Sequence, residues 1–399
     1  MTKVKHESDI RGAGNLANDA VTGIIDLVEA LHHTIAGLGG MLGISKQNRT
    51  TGITGIVYQN IRAISKLAGN SIDLLLKQFS SLLGEKSSSI EREAIIGALN
   101  GVLGDHLAAR NNPLVIPMQL RQNGAAVMGD QDFNRAVRQS DGKIILMVHG
   151  LCMNDLQWNR HGHDHGAALS RDLGYLPVYL HYNTGLHISQ NGREFAGLIE
   201  RFINQLPQPI ELVIIAHSMG GLVSRSACHY GKLAGHSWLN HLQKIVFLGT
   251  PHHGAPLERA GNWIDFILGI SPYSAPFSRL GKIRSAGITD LRYGNILDED
   301  WKGRSRFECS GDHRVPVPLP DGVQCYTIAA STSKKFSRLS DQLIGDGLVT
   351  LNSALGCHKN ADLNLVFPES HQRTARNMNH MDLLNQPEVY KIIKQWLAF

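Results

Sequence analysis

Residues 211–222 read Glu211-Leu-Val-Ile-Ile-Ala216-His-Ser218-Met-Gly220-Gly-Leu222. Glu211–Ala216 is a short apolar run of strand length, and Leu222–Tyr230 continues with helical character. Ser218 therefore sits on a strand-to-helix turn. Such a turn is tight, so the residues two before and two after the serine have to be small, as Ala216 and Gly220 are. The turn lifts the hydroxyl over the sheet edge, and the helix N-terminus behind it favours developing negative charge. A small-x-Ser-x-Gly match alone fits many ordinary loops. Placed between this strand and this helix, it predicts a nucleophile, Ser218, with the Met219 amide as a donor to an oxyanion.

Working outward, the chain from about 140 onward alternates short apolar runs with helical patterns. Lys143–Val148, Leu176–Tyr182, Lys244–Leu248, Val323–Ala329 and Leu363–Phe367 read as further strands. Phe195, Leu198, Ile199, Phe202 and Ile203 form a helical stripe, and Val389, Ile392, Ile393, Trp396 and Leu397 form another behind Pro387. This alternation predicts an α/β fold, a mainly parallel sheet covered on both faces, over residues 140–399. Residues 254–320 are too long for a plain crossover and end in a Pro-rich tail, Pro316, Pro318 and Pro320, which suits an inserted lid or cap. Residues 1–115 form an N-terminal helical region, with apolar stripes over Val21–Leu31, Ile53–Ile64 and Ile95–Leu103. Ser88 and Glu91 are spaced as a capping box before the last stripe.

The 399 residues allow two to three units of ordinary size. The 42% hydrophobic and 18% charged composition excludes a disordered chain. A net charge of +5, with both signs interspersed, gives no footprint for nucleic acid. Five cysteines without a CxxC make no disulfide framework, Cys309 and Cys325 being the one pair placed to bridge a loop. Met1–Gly14 has no apolar stretch of signal-peptide type. The apolar segment Val21–Ile44 carries Asp26, Glu29, His32 and His33, too polar for an ordinary span. The expectation is a soluble cytoplasmic protein. Its N-terminal helices pack on one another and on the α/β unit, with weak contact to a membrane surface as the lesser reading. Oligomeric state has no signature in the sequence.

A serine nucleophile needs a second oxyanion donor, a histidine base and a carboxylate that orients it. His149-Gly150-Leu151 follows the strand Lys143–Val148 directly, and Gly150 permits close backbone approach. The second donor is the Leu151 amide, with Cys152 as the alternative. The acid is Asp346, on a turn flanked by Gly345 and Gly347, or Asp341. The base follows the last strand and is His371 or His380. His149, Gly150, His217 and His252 are assigned to the substrate pocket. His217, beside the nucleophile, is read as structural rather than catalytic, and His252-His253 as pocket lining or as the flank of a turn. Trp158 and Tyr182 either border the pocket or pack in the core.

The motifs VHGL, AHSMGG, LGTPHHG (Leu248–Gly254), GDGLV and NHMD, in this order, resemble the bacterial lipase and GPI-inositol-deacylase-like branch of the α/β-hydrolases. The resemblance covers roughly residues 140–399. It implies the α/β-hydrolase fold, with Ser218 as nucleophile, Asp346 as orienting acid and His380 as base. Ala216 stands where the common GxSxG has its first glycine. Secreted lipases of this branch carry an export signal, which is not seen here. Some bind a structural calcium through two aspartates, of which only Asp382 finds a match, so no metal is expected. The implied activity is a serine hydrolase of carboxylic esters, lipid esters foremost, with no organic cofactor. The rivals are an acyltransferase or thioesterase with the same triad, and a non-catalytic binding or scaffold protein on the hydrolase fold. His161-Gly-His163-Asp164-His165 imitates a metal cluster. It is one residue short of HxHxDH and opens a helix, where histidine and aspartate serve as caps.

Overall fold

The structure, a computed structural model, describes residues 90–206, 209–255, 284–304, 311–333 and 345–398. The helical stripes before Ile90, the apolar piece Trp263–Ile270, Cys309 and Asp341 lie outside the described residues. Eight strands form one sheet: β1 Gln119–Gln122, β2 Ala125–Ala126, β3 Lys143–Val148, β4 Leu176–His181, β5 Glu211–His217, β6 Leu242–Leu248, β7 Gln324–Ser331 and β8 Gln372–Arg376. Their order is β2-β1-β4-β3-β5-β6-β7-β8. The hairpin β1–β2 is antiparallel, as is β1 against β4, and every pair from β4 to β8 is parallel. This order, with the serine turn after β5 in the middle of the sheet, is the α/β-hydrolase fold.

β3, β5 and β6 are buried almost throughout, which is why they read as continuous apolar runs. The helices are α1 Ile90–Ala109, α2 Gln131–Gln139, α3 His165–Leu173, α4 Ile188–Ile203, α5 Met219–Leu233, α6 Ala286–Asp290, α7 Leu351–Ala354 and α8 Pro387–Leu397. A single core joins Leu99, Val102 and Leu103 of α1 with the strands and with Val389 and Ile393 of α8. α1 thus shares the core of the sheet. It comes close through Gly101, where a Cβ would stand 2.3 Å from Cys152 Sγ, so this helix backs the loop that follows β3. None of the described helices is long and apolar enough to cross a membrane.

The sheet differs in three places from what the sequence suggested. Leu363–Phe367 is not a strand. It lies after the short 3₁₀ turn Ala361–Leu363 as an extended loop that buries Leu365 and Phe367 and leaves Val366 82% exposed. The last strand is instead the polar run Gln372–Arg376, an edge strand of which only Ala375 is buried, so it carries no apolar pattern. The hairpin β1–β2 was not read at all, and the sheet therefore begins at Gln119, ahead of residue 140. Its signal was the dipeptide Asn123-Gly124, with φ of 51° and 79°, which suits a two-residue hairpin turn. Cys325 is a buried free thiol.

Candidate active site

Ser218 has φ 55° and ψ −126°, a strained conformation for a residue with a side chain. The turn is closed by Ser218 N–H donating to Leu248 O at 2.8 Å and Gly221 N–H donating to Ser218 O at 3.0 Å. The two strand ends on either side leave no room. A Cβ at residue 220 would stand 2.5 Å from Val148 O, and one at Gly150 would stand 2.9 Å from Ser218 Cβ. The small residues of AHSMGG and HGL are therefore needed because the β3 and β5 loops pack backbone to backbone under the serine.

Asp346 and His380 meet from the ends of different segments. His380 Nδ1 donates to Asp346 Oδ2 at 2.6 Å, both side chains being buried. The other carboxylate oxygen, Oδ1, accepts from the amides of Leu348 at 2.9 Å and Val349 at 2.8 Å. The aspartate is thereby fixed in orientation and presents one oxygen to the imidazole. A proton on Nδ1 leaves the lone pair on Nε2, and His380 Nε2 is buried with no hydrogen-bond partner among the described residues. His371, the other histidine considered, lies elsewhere, with Nδ1 at 3.1 Å from Cys325 O and its ring on Tyr326.

The 3₁₀ turn His380–Leu384 is pinned at its far end. His165 Nε2 donates to Leu383 O at 2.9 Å, and His163 Nε2 lies 2.9 Å from His165 Nδ1. Asp164 caps α3 through Ala167 N–H at 2.9 Å. The HGHDH run thus contributes a helix cap and a tether to the turn that carries His380. Asp382 is likewise engaged as a cap, accepting from Asn379 N–H at 2.8 Å.

The loop after β3 presents the second amide. Cys152 N–H is taken by Thr184 Oγ1 at 3.1 Å, whereas the Leu151 and Met219 amides have no partner among the described residues. Tyr182 is fully buried and donates to His149 O at 2.8 Å, its ring stacked on the His149 ring at 4.5 Å. Trp158, also fully buried, sets its edge toward His217. Both are core supports of the loop. His217 donates through Nε2 to His380 O at 3.3 Å, and its ring centroid lies 4.7 Å from that of His380. Burial holds His217 well below the ordinary histidine range, so it is neutral.

Ser218, His380, Asp346, Leu151, Met219, His149, Gly150 and His217 are thus brought together. His252 does not join them. Its ring packs on Phe247 and Phe367, with Nδ1 3.5 Å from Arg225 Nη1. Thr184 was not picked out from the sequence, and His165 only within the HGHDH run as a cap; each acts through a contact more than 30 residues away, for which no local pattern exists.

Gly249 gives a direct test of how tightly the base is held. It has φ +58°, and a Cβ there would lie 2.8 Å from Leu383 Cδ1 and 3.0 Å from His380 Cε1. Gly249→Ala should push the imbalance onto the imidazole and lower kcat for any ester the protein turns over by about 10²-fold, the usual cost of a 1 Å misplacement. Unchanged kcat would show that His380 has slack.

The buried histidines also set an acid limit. Burial pushes His149, His165 and His253 down to about 4. In the unfolded chain they titrate near 6.5, so the unfolded state binds more protons between these values. The stability gained from burying them neutral is complete above pH 6.5 and is lost as pH falls towards 4. At pH 5 the loss is of the order of 2 kcal/mol for each. The urea midpoint should therefore drop markedly from pH 7.5 to pH 5; coincident curves would contradict it.

The strand order and the elbow give the chain the α/β-hydrolase fold. One family model, described as a domain of unknown function (DUF7379), matches residues 119–273. No curated protein sequence matches the chain. Among solved structures, the chain is similar to the mature form of a Bacillus licheniformis lipase, at 18% identity over 64% of this chain and 92% of that one, with a TM-score of 0.41. A metagenomic carboxyl esterase matches at 15% identity over 76% and 91% of the two chains, with a TM-score of 0.40. A type II thioesterase from a yersiniabactin biosynthetic pathway matches at 12% identity over 64% and 92%, with a TM-score of 0.35.

Proposed function

We propose that this chain is a serine hydrolase of carboxylic esters that works through an acyl-enzyme. The observation that carries the reading is the 2.6 Å contact of His380 Nδ1 with Asp346, which leaves Nε2 unpartnered in the same site as a serine on a strained elbow. In this reading Ser218 Oγ gives its proton to His380 Nε2 and attacks the ester carbonyl. The Leu151 and Met219 amides hold the oxyanion. Asp346 keeps the imidazole in the right tautomer and stabilises the imidazolium. His380 then gives its proton to the departing alcohol, and water cleaves the acyl-enzyme by the same route. His149, Gly150 and His217 shape the pocket floor. No metal or organic cofactor takes part, and the enzyme is placed in the cytoplasm with residues 254–320 as a cap.

Lipid esters are the favoured substrates. The motif series from VHGL to NHMD supports the GPI-inositol-deacylase-like lipase branch. The test is hydrolysis of p-nitrophenyl esters from acetyl to palmitoyl. Turnover rising with chain length is the expected profile. Turnover confined to acetyl and butyryl esters would make it a short-chain esterase, and turnover of thioesters alone would move it to the thioesterases.

A further inference from the structure

The C-terminal half of α5 carries Arg225, Cys228, His229, Lys232 and Leu233 on one face, at the i, i+3, i+4, i+7, i+8 spacing of a single stripe. It faces the extended segment Val317–Val323 across a groove of 460 Å³, which lies within the ordinary range of small-molecule sites. The groove walls include none of Ser218, Asp346, His380 and Leu151. Arg225 is seven residues along α5 from the nucleophile, about 10 Å away.

The groove has an apolar body with one charge at its inner end. Leu239, Val317, Leu319 and Val323 supply the walls, and Leu233 at the outer end is 71% exposed. Lys232 is answered there by Asp321 at 2.7 Å. Arg225 is not answered. Its side chain is only 5% exposed, and among the described residues no carboxylate lies within ion-pair distance of it. Its Nη2 donates to Val317 O at 2.6 Å and its Nη1 lies 3.5 Å from His252 Nδ1, while Nε has no partner among the described residues. Asp300 lies beyond Arg225, across a small chamber, and spends its oxygens on the amides of Ile296, Leu297 and Val315. Arg314, the other cation there, is held by Asp312 at 2.8 Å. The N–H groups that the Arg225 guanidinium leaves unspent, in low-dielectric surroundings, match a single negative charge, and the apolar walls match a hydrocarbon. A dianion would bring a surplus charge that nothing in the groove meets.

We propose that this groove binds an aliphatic monocarboxylate, its carboxylate on the Arg225 guanidinium and its chain lying along α5 towards Leu233. The site is separate from the catalytic centre and stands whether or not the chain hydrolyses esters.

Calorimetric titration of the full chain with decanoate and with 1-decanol tests it. Decanoate should bind at least tenfold more tightly than the alcohol. Arg225→Met and Leu319→Trp, which fills the groove from the strap side, should each weaken decanoate at least tenfold. Ser218→Ala should leave it unchanged. Equal affinity for acid and alcohol, no binding of decanoate, or undiminished binding to folded Leu319→Trp would overturn the proposal. A location that depends on no variant comes from crystals with 10-bromodecanoate. The bromine should lie in the groove and the carboxylate within hydrogen-bond distance of Arg225; bromine only at the Ser218 site, or at none, refutes it.

Discussion

Ser218→Ala should abolish ester turnover, with kcat falling about 10⁶-fold, while the fold stays intact. The size of the effect follows from the role: a triad that loses its nucleophile retains only what the oxyanion amides and binding provide. No neighbour can replace it. The nearby Cys152 thiol is buried and its ionisation is pushed far above the ordinary range by burial. The fold should tolerate the change because the serine is held by its backbone, through Leu248 O and Gly221 N–H, and among the described residues no side-chain hydrogen bond of Ser218 supports the turn. The check is kcat of the purified variant beside its thermal unfolding. Residual turnover within tenfold of the parent, in a variant of unchanged Tm, would remove Ser218 from the chemistry.

Asp346→Asn should cost about 10⁴-fold in kcat with little change in KM. Oδ1 of Asp346 receives two backbone N–H groups, from Leu348 and Val349. An asparagine keeps those bonds only by placing its carbonyl oxygen there. Its NH₂ group must then face His380 Nδ1, where the carboxylate now accepts at 2.6 Å. The imidazole has to answer with a lone pair on Nδ1, which puts its proton on Nε2, facing the nucleophile. Geometry survives and the base is lost. A variant with near-parental kcat would mean that Asp346 orients nothing that matters, and that the acid lies elsewhere.

The central strands and the elbow were legible because burial on both faces writes itself as apolar runs. Lys143–Val148 and Glu211–Ala216 needed no other clue. The edges of the sheet were not legible for the converse reason. Gln119–Gln122 and Gln372–Arg376 bury one residue each and read as polar loop. Leu363–Phe367 misled because alternation of buried and exposed residues also arises when a loop lays two side chains on a core without pairing. At the site, Ser218 and Gly220 were fixed by local sterics. The choice of His380 over His371 rested on a resemblance, and the geometry brings His380 to Asp346. Spacing and the helix start set HGHDH apart from a metal cluster, but the tether from His165 to Leu383 spans 218 residues and left no local sign.

The most direct measurement is labelling of the folded chain with a fluorophosphonate probe, followed by peptide mapping, with heat-denatured protein as the control. The account predicts one adduct per chain, on the Ser218 peptide, absent after denaturation and absent in Ser218→Ala. An unlabelled Ser218 in natively folded protein, or an adduct on another serine, would contradict it.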